Sequence, residues 1–300
     1  MLPCGRHHSD GTGARMFSIV GILVVFGCVI GGFLMDKGKL GVLVQPAELV
    51  IIFGAAVGTV LTANPMHILK GIAAGLIGVL KGTPYTKKRY VETLKMMFDL
   101  LAKARKEGAI AIEADVEEPD KSPTFSKYPT FLKDHHALHF VCDTMRMSIT
   151  GGVNPFDVDQ MMELDMEVHH HCAAAPSTAL NSMADALPGL GIVAAVLGIV
   201  VTMGSLGGPP EAIGEKVAAA LVGTFLGILL CYGMIGPLAA NMVKGVDEEH
   251  SYYAVLRVVL LAFIKGTAPI MAVEMGRRAI PGHSRPSFAE VEKACREKGD

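Results

Sequence analysis

Tryptophan is absent from this 300-residue chain, and only 6% of its residues are aromatic. Any aromatic belt at a membrane surface would therefore rest on tyrosine and phenylalanine. An excess of one charge is also missing. The net charge is −2, which offers no global field to nucleic acid. The six cysteines (Cys4, Cys28, Cys142, Cys172, Cys231 and Cys295) have no paired spacing, and no CxxC occurs. They read as free thiols and give no sign of an oxidised compartment. No phosphate-cradling glycine loop, nucleophile elbow or catalytic triad signature is visible. The chain is thus not read as an enzyme, and no cofactor is expected.

Apolar residues are abundant, at 51% of the chain, yet 19% of residues are charged. Both figures fit one molecule if grease and charge are segregated, and they are. Apolar blocks stand at 17–35, 48–63, 187–208 and 217–243. A helix needs about 20 such residues to cross a bilayer. The second block reaches that length with its flanks, Pro46 to Met66. The expected fold is an all-α membrane protein with four transmembrane helices in two hairpins and a helical cytoplasmic domain between helices two and three. The divisions are an N-terminal extension (1–15), a first hairpin (16–66), the cytoplasmic domain (67–186), a second hairpin (187–243) and a C-terminal tail (244–300). The first block is longer than a usual signal-peptide core and lacks an A-x-A site, so it reads as an uncleaved span with Met16 as the start. Lys70, Lys81, Lys87, Lys88 and Arg89 follow helix two, and Lys244, Arg257 and Lys265 follow helix four. The hairpin loops hold only Lys37, Lys39 and Lys216. This bias puts both termini inside the cell.

Between the hairpins, "YVETLKMMFDLLAKARKEG" repeats apolar residues at helical steps and stops at Gly108. A second helix ends at Gly151 and Gly152, and a third opens on Asn154 with Pro155 at its first position. Ser287 precedes Glu290 by three residues, a capping box.

The spans hold few titratable groups. Glu48 stands at the lip of helix two, near the interface. The polar atoms at depth are hydroxyls and thiols: Thr62, Thr202, Thr224, Tyr232, Cys28 and Cys231. Such groups do not hold and release a proton near neutral pH, so either nothing is conducted or a partner supplies the titrating group. Gly27/Gly31, Gly54/Gly58 and Gly223/Gly227 are small-xxx-small pairs. They suit generic helix packing or contact with further copies. Pro188 and Pro237 read as a helix start and a tolerated kink, or as hinges. Consecutive residues step about 100° around a helix, so His169 to Cys172 cannot all face one ion. His135 and His139 lack a third ligand, and no metal site is assigned.

Several blocks are shared with a known family. "GGFLMDKGKLGVLVQPAELVIIFGAAVG", "LPGLGIVAAVLGIVVTMGS", "LVGTFLGILLCYGMIGPLA" and "RPSFAEVE" strongly resemble the MotA stator subunits of the bacterial flagellar motor, in the MotA/TolQ/ExbB proton channel family. The resemblance runs from Met16 to about Val291. It implies a multi-pass protein of the inner membrane, a homopentamer around a MotB dimer whose aspartate binds the proton, and torque delivered to FliG of the rotor. Pro188 and Pro237 match the family's functional prolines, and Thr224 its ion-path threonine. Tyr232 lies beside that path. Arg105 and Glu113 match the charges that touch the rotor. Ala195 stands where sodium-type relatives add a hydroxyl, so H+ is the expected ion. The alternative within the resemblance is an ExbB/TolQ-like energiser of an outer-membrane process, although those relatives usually have three spans.

Overall fold

The computed structural model describes residues 11–296 apart from 153, 205, 206 and 208, with the backbone alone for 11–16. Cys4 and the expectations for the first ten residues lie outside the described residues. Thirteen α-helices are described, and no strand occurs among the described residues. Among the described residues, four helical stretches are long and apolar enough to cross a membrane. The chain divides into two compact units, one made of 83–172 with 246 onward, the other of 12–82 with 173–245.

The second unit holds the greasy helices. They are α1 (Gly11–Met35), α2 (Leu40–Leu43), α3 (Pro46–Ala63) and α4 (Met66–Lys81). With them lie the later part of α9 (Pro155–Met203), α10 (Pro210–Leu230) and the start of α11 (Gly236–Ile264). Pro46 opens α3 at its first position, where the missing N–H has no intrahelical partner to lose. Helix α4 lacks a block of its own in the sequence. Its 16 residues rise only about 24 Å, short of a span, so hydropathy leaves the segment in the loop after helix two. The core of this unit is Ile52, Ala56, Leu180, Ala184, Leu187, Ala194, Leu230, Ile235 and Ala239.

Two boundaries differ from the sequence reading. The helix that carries the third span does not begin near residue 187. The span is the end of a single 49-residue helix, α9, which carries Pro176 and Pro188 in its interior. Pro188 is therefore not a start signal. The fourth span is interrupted. Between α10 and α11 the residues Cys231–Ile235 form a π turn, in which the Gly236 N–H donates to the Cys231 carbonyl, five residues back. Proline normally clashes with the carbonyl four residues before it. Here the wider turn stands one residue ahead of Pro237, which explains why the helix continues past the proline instead of breaking.

The first unit is built from shorter helices: α5 (Lys87–Glu107), α6 (Glu113–Glu117), α7 (Pro129–Leu132), α8 (His135–Thr150), α12 (Pro269–Ala279) and α13 (Phe288–Arg296). The start of α9 and the rest of α11 complete it. Start and stop chemistry is local. Thr86 Oγ1 accepts from the Arg89 N–H, and Asp134 Oδ1 accepts from the Ala137 N–H. Gly108 and Gly151 end α5 and α8 at positive φ, +93° and +78°, where a side chain would be strained. The Asn154 and Ser287 signals operate as read: Asn154 Oδ1 accepts from Phe156 N–H, and Ser287 and Glu290 exchange bonds across the first turn of α13. The core gathers Tyr90, Leu94, Met97, Leu101, Phe125, Val141, Tyr252 and Leu256. Within it Thr93 Oγ1 and Tyr252 OH pair, 2.7 Å apart.

Candidate functional site: a glycine seam between two spans

Helices α9 and α10 meet almost backbone to backbone. A Cβ on Gly191 would lie 2.8 Å from the Gly223 carbonyl and 3.3 Å from the Thr224 Cα. One on Gly227 would lie 2.6 Å from the Leu187 carbonyl. Any side chain there would have to push the helices apart, so the pair Gly223/Gly227 is consumed inside the chain. The pairs Gly27/Gly31 and Gly54/Gly58 differ: nothing stands within 4 Å of a Cβ built on any of them.

Three expected site residues lie on this helix pair. Pro188 and Ala195 lie seven residues apart on α9, two turns along one face, and Ala195 is buried. Thr224 lies on α10 opposite Gly191, between them. The span hydroxyls of Thr62 and Thr202 donate to their own helix, to the carbonyls of Gly58 and Gly198. Thr224 makes no such bond among the described residues, so its hydroxyl is available to a water or an ion. Tyr232 and Pro237 lie away from the seam, in and just beyond the π turn. Both are exposed, Tyr232 at 73%.

Glu48 stands in the first turn of α3, as its place in the sequence implies, yet it is not open to water. Only 7% of it is exposed, and its Oε2 has no hydrogen-bond partner. It fills the gap left by Gly223, where a Cβ would stand 2.5 Å from its Oε2; a Cβ on Gly198 would stand in ordinary contact, 3.5 Å from its Oε1. The head of α3 thus contains a buried carboxyl whose burial the sequence reading did not foresee. The sequence signal was present: an acid two residues after a helix-opening proline in an apolar run, with glycines on the facing spans. Which glycines face it is a non-local fact.

Arg105 and Glu113 belong to the other unit, at the end of α5 and the start of α6. Both are exposed and unpaired among the described residues. Their neighbours are occupied. Lys103 pairs with the buried Asp115 at 2.7 Å, and Asp115 also accepts from Ser122 Oγ. This anchor fixes the turn that presents the two free charges.

The histidines scatter as helical stepping predicts. His169 Nε2 meets Glu249 at 3.2 Å, His170 stacks edge-on with His250, and His171 is exposed. Among the described residues no cluster of three is placed to hold a metal ion.

Comparison with known proteins fits this geometry. Residues 19–108 match the model of the Motility protein A N-terminal family, and residues 133–254 that of the MotA/TolQ/ExbB proton channel family. Motility protein A of Escherichia coli is 41% identical over 281 residues, covering 94% of this chain and 95% of the relative. Chemotaxis protein LafT of Vibrio parahaemolyticus is 35% identical, covering 93% of this chain and 98% of the relative. Among solved structures, C. jejuni MotAB superposes with a TM-score of 0.73 at 17% identity, covering 91% of this chain and 99% of that one. The flagellar MotAB stator complex from Bacillus subtilis gives 0.67 at 23% identity, covering 86% and 92%.

Proposed function

The chain belongs to the Motility protein A group of the MotA/TolQ/ExbB proton channel family, and on that premise we propose that it is the proton-conducting stator subunit of a flagellar motor. It works with MotB as several copies around that partner, a homopentamer around a MotB dimer in our reading. It is a multi-pass protein of the inner membrane, with both termini in the cytoplasm. The observation that carries the reading is the α9–α10 seam. It places a proline, an alanine and an unbonded threonine hydroxyl on one helix pair with no room for side chains between the backbones.

The physical scheme is a small packing change driven by protonation. One proton crossing the membrane supplies about 2.3 kcal/mol per 100 mV, enough to tip two near-equal packings. Pro188, inside α9, removes one backbone hydrogen bond. The π turn before Pro237 supplies a second soft point. Thr224 orients water or the ion in the seam, and Ala195, lacking a hydroxyl, favours H+ over Na+. Arg105 and Glu113 then meet complementary charges on FliG, where charge sets register and encounter more than affinity.

The test is swimming in a stator-null strain supplied with this chain and MotB, over a range of sodium concentrations. The expected result is restored motility, indifferent to sodium. Reversing the charges of Arg105 and Glu113 together should abolish swimming while membrane levels and MotB co-purification hold. Unimpaired swimming by that double variant would remove the rotor assignment.

A further inference from the structure

We propose that Glu48 is itself a proton-holding site in the membrane-spanning unit, so that the chain does not rely wholly on a partner's acid. The proposal rests on the stator reading above and deepens it.

Four observations carry it. The carboxyl is more than nine-tenths buried, and Oε2 finds no hydrogen-bond donor. No ion pair holds Glu48 among the described residues. The space its Oε2 occupies exists only because Gly223 lacks a side chain. The groups lining the same gap from α9 and α10 are Ala194 and Ala220 with Gly198 and Gly223, and none of them titrates.

An unpaired carboxyl buried in a membrane-spanning helix is costly to keep charged and is rare without a purpose. A structural role would give it a donor for each oxygen. Here one oxygen is left open, the arrangement needed to accept a proton and pass it on. The ligand is a proton and not a metal cation. Hard cations require a cage of several oxygens, and this gap is lined by glycine and alanine. The step balances simply. A hydronium from the nearer aqueous face gives its proton to the carboxylate, leaving water and a neutral acid. The acid later gives that proton to a carboxylate of the partner and returns to its charged form.

The experiment uses the full chain with MotB in stator-null cells. Proton entry is read from the fall in internal pH when the stator is switched on. Glu48→Gln should lower the flux about tenfold or more, the scale on which positioned proton-transfer groups act, with MotB co-purification unchanged. Glu48→Asp should retain part of the flux and shift its dependence on external pH. A Glu48→Gln complex that assembles and conducts like wild type would overturn the proposal. Should Glu48→Gln fail to accumulate, infrared difference spectra of purified complex carrying 13C-labelled glutamate decide the matter. A labelled, protonated carboxyl band that titrates in wild type and is lost in Glu48→Asp supports the site; absence of that band overturns it. If wild type conducts nothing, the stator reading fails while the infrared band still judges Glu48.

Discussion

A hydroxyl and a carboxylate show how much one residue can decide here. Thr224 differs from Thr62 and Thr202 in one respect: it gives nothing back to its own helix. Thr224→Val keeps shape and removes only the hydroxyl. It should leave membrane accumulation and MotB co-purification intact and lower proton flux severalfold, read by the same internal-pH assay. In the other unit, Glu274 sits on α12 between Arg277 and Arg278, accepting at 2.6 and 2.8 Å from the first. These bonds hold its carboxyl down at about 2, against an ordinary 4.5. Arg277 also donates to the Pro286 carbonyl, so the pair holds the segment leading into α13. A depressed folded-state value stabilises above the unfolded value and loses its effect as pH falls through the folded one. Glu274→Gln should therefore destabilise by about 1 to 2 kcal/mol near neutrality. The gap between variant and wild type should close as pH falls from 4.5 toward 2. Thermal melts of detergent-solubilised protein across that window check the sign.

At the scale of elements, local chemistry was legible and non-local packing was not. The caps at Asn154 and Ser287 and the glycine stops at 108 and 151 depend on neighbours within four residues, and sequence suffices for them. The long helix α9 was split in reading because hydropathy changes along it while helicity does not: an apolar stretch and a polar stretch can share one rod. The π turn was invisible because Pro237 announces a disturbance without saying how the backbone absorbs it. The burial of Glu48 was invisible for a related reason. Its position in α3 is local, but its burial depends on Gly223, 175 residues away. The seam itself carries a sharp expectation. A Cβ on Gly227 meets the backbone of Leu187 and Gly191 at 2.6 to 3.2 Å, where no flexible side chain can yield. Gly227→Ala should cost about 1 to 3 kcal/mol, seen as a lower melting temperature and reduced accumulation. Gly214→Ala, on the same helix with open space around it, should be silent in both.

The whole molecule leaves much apolar surface uncovered. Along α1, Phe17, Leu23 and Val24 are more than half exposed, and on α9 so are Val196, Val200 and Val201. Lipid can cover such side chains without specificity. Glycine pairs are another matter, since lipid gains nothing from a groove, whereas a second helix gains close backbone contact. Gly223/Gly227 shows what a filled groove looks like in this chain. Gly27/Gly31 on α1 and Gly54/Gly58 on α3 are the same motif left empty. If copies of the chain surround a partner, these two grooves are where neighbouring helices would seat. The expectation is specific to assembly. A Cβ on Gly31 or Gly58 has nothing within 4 Å, so Gly31→Leu and Gly58→Leu should accumulate in the membrane at wild-type levels. The assembled complex, sized by native mass measurement with MotB present, should fall apart to smaller species. Gly21→Leu, with equally open surroundings on α1 but outside either pair, serves as the control and should assemble normally. Intact complexes from both groove variants would mean that lipid, and not another subunit, lies against these faces.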